Sequence, residues 1–193
     1  MIAPHDSIVE LVRDLGYQRR AEAFRLSSGQ MSHDYIDGKR AISTGPNLVR
    51  VADAIIGLLE ERNISYDAVG GLTMGADPLA HAVAIRADKA WFSVRKAPKK
   101  HGRQSLIEGC EITPGLRVVL VDDVVTTGRS ILDALSGALQ EGASVVFAVT
   151  LVDRGDSAQR RLAEEQVPYQ ALVTYRDLGI EPVIDERVGV SPP

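Results

Sequence analysis

Apolar runs and polar punctuation alternate along the chain, and the spacing of the apolar positions changes from one stretch to the next. Near the start, Leu11, Val12 and Leu15 follow Ser7 and Glu10, which have capping-box spacing, and Gly16 suits a stop. A short helix is therefore predicted first. Residues 24–40 lose the helical period. Ser, Gly, His and Asp are frequent there and Tyr35 and Ile36 stand among polar neighbours, which predicts loop plus a short strand. After Gly45 and Pro46, Leu48, Val51, Ala52, Ile55, Leu58 and Leu59 recur at helical spacing as far as Glu61. Beyond that point strand and helix patterns alternate: strands at 67–70, 90–94, 117–121, 144–152 and 171–174, helices at 78–87, 130–140 and 157–166.

Two strands, VVLV at 118–121 and VVFAVTLV at 145–152, are apolar almost continuously, Thr150 excepted, instead of at every second position. Both faces of such a strand need cover, and helices on either side of a parallel sheet supply it. The expected fold class is thus α/β, a parallel sheet flanked by helices. A length of 193 residues suits one domain built on one core. Ligands in such folds gather at the carboxyl ends of the strands.

Composition narrows the function classes. Hydrophobic residues are 45% and charged residues 25%, as in ordinary globular proteins. The N-terminus is neither basic nor apolar enough for a signal peptide, and the longest apolar run, 145–152, is too short to span a bilayer. A soluble, cytoplasmic protein with no membrane partner is expected. A net charge of −4 argues against nucleic acid as a partner. Cys110, alone, excludes an internal disulfide and a cysteine-rich metal site. The basic charge is nevertheless uneven, because residues 95–103, RKAPKKHGR, hold five Lys or Arg and one His without an acid. That cluster points to a small polyanion bound at one place.

The most informative stretch is VVLVDDVVTTGRS, residues 118–130. Buried strand residues lead into Asp122 and Asp123, two adjacent carboxylates that are costly to bury unless hydroxyls or cations meet them. Val124, Val125, Thr126, Thr127, Gly128, Arg129 and Ser130 follow, supplying hydroxyls, a glycine that permits close approach and the N–H groups of a helix start. Carboxylates first and a phosphate cradle second match the hydroxyls and the 5-phosphate of a ribose. Neither GxxxxGK[ST] nor GxGxxG is present.

This stretch resembles the phosphoribosyl pyrophosphate signature of the type I phosphoribosyltransferases, which purine and pyrimidine enzymes share. The run Arg95, Lys96, Ala97, Pro98, Lys99, Lys100, His101, Gly102 is similar to the mobile loop of orotate phosphoribosyltransferases, of the form RKxxKxHG, with Lys99 and His101 carrying the distinction. FRLSSGQMSHDYIDGKR at 24–40 is similar to that family's N-terminal segment, and Arg154 in LVDRGD matches an arginine near orotate. Together these similarities cover residues 7–175.

The resemblance implies transfer of phosphoribosyl from phosphoribosyl pyrophosphate to orotate in pyrimidine biosynthesis, and a small N-terminal hood at residues 1–40 with a C-terminal extension at 176–193. It implies that Arg95, Lys96, Lys99, His101 and residues 122–130 hold the donor, with Lys99, His101, Asp122 and Asp123 catalytic. Orotate would lie against Tyr35, Ile36, Thr126 and Arg154. Mg2+ would enter mainly through the substrate, with no certain protein ligand. A homodimer would share the loop that ends at Arg103 between subunits. Ser27 and Met74 stand where many bacterial relatives carry lysine, and Asp77 in GGLTMGADP would disfavour an anion unless it points away or meets magnesium. Two alternatives stay open, a phosphoribosyltransferase for another base and a non-catalytic sensor of phosphoribosyl pyrophosphate.

Overall fold

The computed structural model of the chain describes residues 4–26, 28–97 and 106–184. The first helix, α1, spans Pro4–Leu11, so Ser7 lies inside it and the expected capping box does not start it. Proline fits the first turn because its missing N–H would be unpaired there anyway. A π-helical turn, Val12–Gly16, ends the segment close to the predicted stop.

Two strands, β1 (Tyr17–Arg25) and β2 (Met31–Ile36), form an antiparallel ribbon with an irregularity between Arg19 and Phe24. The first of them has no apolar alternation to read, because most of its side chains are exposed. After the short α2 (Gly38–Ala41), the long α3 (Gly45–Glu61) begins where Thr44 accepts a hydrogen bond from the Asn47 N–H.

The remaining strands are β3 (Ala68–Leu72), β4 (Ala90–Val94), β5 (Ile107–Gly109), β6 (Arg117–Val125), β7 (Ser144–Asp153) and β8 (Tyr169–Thr174). They make one sheet in the order β5-β4-β3-β6-β7-β8, parallel except for β5, which pairs antiparallel with β4 at the edge. The expected all-parallel sheet thus carries one antiparallel edge strand, three residues long and too short for a pattern to show. Helices α4 (Asp77–Ala87), α5 (Arg129–Gln140), α6 (Ser157–Glu164) and the short α7 (Tyr175–Leu178) complete the chain.

Val119 and Val121 pack with α1, α3 and α4 in one apolar cluster, whereas Val118 and Leu120 pack with α5 and α6 in another. The two clusters lie on opposite faces of the sheet, as the continuously apolar strands require. Of the residues expected as a hood, α1 belongs to the core through Ile8, Val9 and Leu11, and it is the β1/β2 ribbon that stands apart from the main sheet. No helix among the described residues is long and apolar enough to cross a membrane.

The helix after β3 covers one face and the helix after β6 covers the other, although β3 and β6 are neighbours. Their carboxyl ends therefore diverge and leave a crevice, the place where open α/β sheets bind ligands.

Candidate active site

Strand β6 runs to Val125, past its predicted end at 121, because its ladder with β7 continues through Asp122↔Thr150, Val124↔Val152 and Val125↔Asp153. Asp122 and Asp123 consequently belong to the strand, at 3% and 7% exposure. Burial on this scale needs partners. Ser130 at the start of α5 donates its hydroxyl to Asp122 Oδ2 at 2.5 Å, and the Asp123 N–H donates to Asp122 Oδ1 at 3.0 Å. From the other side, Lys39 of α2 places Nζ 2.8 Å from Asp123 Oδ2.

The two carboxylates are therefore unequal. Burial, together with the neighbouring charge of Asp123, pushes Asp122 up to about 7 despite the Ser130 hydrogen bond. Hydrogen bonding to Asp123 raises the Lys39 ammonium, so that cation is held firmly. Gly75, in the turn after β3, sits against both: a Cβ there would lie 2.6 Å from Asp123 Oδ1 and 2.7 Å from Asp122 Oδ1. No other residue could bring its backbone so close.

Thr126, Thr127, Gly128, Arg129 and Ser130 line a cavity of about 1060 Å³ with Val124, Arg95, Lys96 and Ser28. The loop is shaped from below. Gly128 has φ +75°, and a Cβ on it would come within 2.8 Å of the Ala158 Cα in α6. One turn later, Arg161 donates from Nη1 to the Thr127 carbonyl at 3.0 Å. Val125 is buried and its carbonyl accepts from the Arg154 N–H at 2.9 Å, so its own side chain faces the core. Ser130 also differs from the expectation, because its single hydroxyl proton is directed at Asp122.

Arg95 lines the cavity while its guanidinium donates to Glu108 of β5 at 3.1 Å. Lys96 lines it too. Lys99 and His101, with the rest of residues 98–105, lie outside the described residues, as does Ser27. Asp77 resolves one concern raised by the sequence. Thr73 and Ser93 donate hydroxyls to its two oxygens, each at 2.7 Å, so that carboxylate ties the start of α4 to β4.

Arg154 follows β7 and is 3% exposed. It donates from Nη2 to Ser32 Oγ at 3.4 Å, while its buried Nε has no partner among the described residues. Burial pulls its pKa below the ordinary arginine value, with Asp34 and Tyr17 opposing that pull. Ser32, Asp34 and Ile36 share one face of β2 by the two-residue period, and Ile36 is buried in the core. Tyr35 is on the opposite face, where it meets Phe24 edge-on at 5.6 Å and lies under Arg20 at 4.2 Å. The structure thus splits Tyr35 from Ile36 and groups Ile36 with the strand face that reaches Arg154. Tyr35, Ile36 and Arg154 are not in the lining of the cavity that holds the signature loop.

The turn that carries Arg154 is braced by a buried polar chain. Thr150 Oγ1 and the Tyr169 hydroxyl lie 2.7 Å apart, the Tyr169 hydroxyl donates to Asp153 Oδ2 at 2.9 Å, and the Gly155 N–H donates to Asp153 Oδ1 at 3.0 Å. Burial pushes Asp153 up to about 6 and raises the Tyr169 phenol well above its usual value. Lys39, Gly75, Arg161 and Tyr169 were not among the predicted site residues. Only Lys39, inside the 24–40 segment, and Gly75, within a glycine-rich turn, left any local signal.

Similarity to known proteins agrees with this geometry. Residues 40–169 match the model of the phosphoribosyl transferase domain. An orotate phosphoribosyltransferase of Corynebacterium glutamicum is 42% identical over 178 residues, 90% of this chain and 92% of the relative. One of Pyrococcus abyssi is 38% identical, covering 90% of this chain and 94% of the relative. The crystal structure of Mycobacterium tuberculosis orotate phosphoribosyltransferase with 5-phospho-alpha-D-ribosyl 1-diphosphate superposes with a TM-score of 0.74 at 33% identity, over 92% of this chain and 99% of that one. The match is long and shared by sequence and fold, and the chain belongs to the phosphoribosyltransferase family, within it to the orotate phosphoribosyltransferases.

Proposed function

We propose that this protein transfers phosphoribosyl from phosphoribosyl pyrophosphate to orotate, forming orotidine monophosphate and diphosphate. The observation that carries the reading is the Asp122/Asp123 pair at the carboxyl end of β6, tied by the Ser130 hydroxyl to the cavity that Ser130 lines with residues 126–129, Arg95 and Lys96. Asp122 and Asp123 accept from the two ribose hydroxyls, and the main-chain N–H groups of the loop and the start of α5 take the 5-phosphate. As the bond from the ribose to the diphosphate breaks, its electron pair leaves with the diphosphate and the sugar becomes cationic. The carboxylate field favours that sugar, and the basic loop favours the departing anion.

A ring nitrogen of orotate supplies the new bond and gives up its proton. Arg154, with a buried Nε that lacks a partner, suits the carboxylate and carbonyl oxygens of orotate. Thr126 and Ile36 flank the same side of the site in this reading, and Tyr35 backs the ribbon. Lys99 and His101 would act on the diphosphate, with His101 able to hand it a proton.

Magnesium fits as a companion of the donor. Among the described residues no group of three His, Cys, Asp or Glu gathers into a cage, while the buried aspartate pair has one lysine against two carboxyl groups. The donor's own oxygens would hold the ion, Asp122 and Asp123 would complement its charge, and it would neutralise the leaving diphosphate. The assembly proposed is a cytoplasmic homodimer in which the loop beginning at Arg95 serves the neighbouring subunit's site. Exposed Trp91 and Ile85, on or beside α4, support an interface there.

The test is the ultraviolet absorbance of orotate in the presence of phosphoribosyl pyrophosphate and magnesium. Consumption of orotate with release of diphosphate is expected. Donor binding without consumption would replace this reading with a sensor, and consumption of another base would replace the acceptor.

A further inference from the structure

Residues 180–184 follow α7 and cross the turn after β7. The Val183 N–H donates to the Arg154 carbonyl at 2.6 Å, and on the other side the Arg154 N–H donates to the Val125 carbonyl at 2.9 Å. The main chain of Arg154 is thus pinned between β6 and the C-terminal segment. Contact continues at Gly155, where a Cβ would lie 2.4 Å from the Val183 carbonyl oxygen. Val183 itself is buried, and Ile180 packs on the main core, so the segment is anchored at two points.

One residue further, the Ile184 N–H donates to Gln30 Oε1 at 2.9 Å. Gln30 closes the turn between β1 and β2: its carbonyl accepts from the Leu26 N–H, and its own N–H donates to Ser28 Oγ at 3.3 Å. Ser28 lines the cavity that holds the signature loop. Five residues therefore join the Arg154 turn to the ribbon that closes the site. Among the described residues the Arg154 guanidinium has a 3.4 Å hydrogen bond to Ser32 and an Nε without a partner, so its aim depends on how its main chain is held.

We propose that residues 180–184 are a strap, anchored on Gln30, that positions Arg154 for the acceptor base. The strap is a positioning element, and its role rests on the reading above that Arg154 faces orotate. A misplacement of about 1 Å in such a group costs up to about 100-fold in rate, so loosening the strap acts on the acceptor side and spares the donor.

Three variants test it. Val183→Pro removes the N–H and keeps a buried apolar side chain; Gln30→Leu removes the acceptor; Gln30→Glu retains one. In steady-state assays the orotate KM is expected to rise about five- to tenfold in Val183→Pro and Gln30→Leu, the scale of one lost hydrogen bond. The donor KM should change less than about twofold, and Gln30→Glu should stay near wild type. An unchanged orotate KM, or equal rises for both substrates, overturns the strap. Should Val183→Pro not fold, the Gln30 pair decides alone. Should the wild-type protein consume no orotate, the proposed function falls separately, and amide hydrogen exchange at residues 26–32 then judges the strap. Faster exchange in Gln30→Leu supports it; exchange equal to wild type overturns it.

Discussion

Lys39 and Asp123 stand 84 positions apart in the chain and meet at 2.8 Å, joining the short helix after the ribbon to the signature strand. Removing one partner of such a pair leaves the other charge partly buried and unpaired. Lys39→Met is therefore expected to destabilise the protein by roughly 1 kcal/mol, discounted because the lysine side chain is half exposed. That is about 2–4 °C in Tm for a chain of this size. The loss should be larger at pH 8 than at pH 5, because the carboxylate pair carries more charge at the higher pH, and Lys39→Met with Asp123→Asn should recover it. Thermal unfolding at the two pH values checks both statements; equal losses at both would contradict the gain of charge at Asp122, and no recovery in the double variant would contradict the pairing.

Asp122 gives a pH signature of opposite kind. Its folded pKa, about 7, lies above the value for an unfolded aspartate, so the folded protein binds the extra proton between about pH 4 and pH 7. Stability from this group is complete below that window and is lost as the pH rises through it. Asp122→Asn removes the dependence. The Tm of the variant minus that of wild type should increase from pH 5 to pH 8, while turnover collapses; a constant difference would show that the carboxyl is not held neutral.

Tyr169 donates to Asp153 and also meets Thr150, so Tyr169→Phe leaves two buried oxygens short of a partner. The expected cost is about 1–3 kcal/mol. Because the lost hydrogen bond favoured the charged carboxylate, Asp153 should move above about 6. The cost should accordingly shrink as the pH falls below that value. Denaturant unfolding at pH 5 and pH 8 separates this from a simple packing loss, which would be the same at both.

Arg161 reaches the Thr127 carbonyl from beneath the signature loop. Arg161→Ala should raise the KM for phosphoribosyl pyrophosphate by about tenfold, the scale of one charge-assisted hydrogen bond of about 1.5 kcal/mol. The turnover number and the orotate KM should move far less. Lysine at the same position should restore part of the effect, and a donor KM that does not respond to alanine would remove Arg161 from the loop's support.

Loop sharing between subunits has its own test, by complementation. Lys99→Ala and Asp123→Asn should each be inactive alone, whereas refolding them together should return about one quarter of wild-type activity if loops serve the partner's site. Loops that serve their own subunit would leave every mixed dimer without an intact site, and the mixture would stay silent.

The parts of the site that could be read in the sequence are those whose chemistry is local. Asp122, Asp123 and residues 126–130 follow one another in a single strand, turn and helix start, and the apolar run before them reveals the strand. Arg161 acts on that segment from elsewhere with nothing in its own neighbourhood to tell where it will land, and Lys39, though inside the 24–40 segment, carries no sign that its partner is Asp123. The same difference explains the fold. Strands buried on both faces, such as β6 and β7, show as unbroken apolar runs, but β1 is exposed along most of its length and is held by its backbone ladder with β2. Helix α7 is the instructive omission, because Thr174, Asp177 and Gly179 spell out a capping box and a left-handed stop within six residues. Its start lies at the end of a strand, and that strand's pattern hid it.

The closeness of Gly128 to Ala158 makes the signature loop a poor candidate for transplantation. Its curvature belongs jointly to the signature and to the helix one strand later, so a graft that carried only residues 118–130 into another strand–helix unit would lose the shape that makes it work. Recombination between relatives should respect the same boundary: Gly128, Ala158 and Arg161 should be inherited together, and chimaeras with a crossover between them should be enriched among the inactive ones.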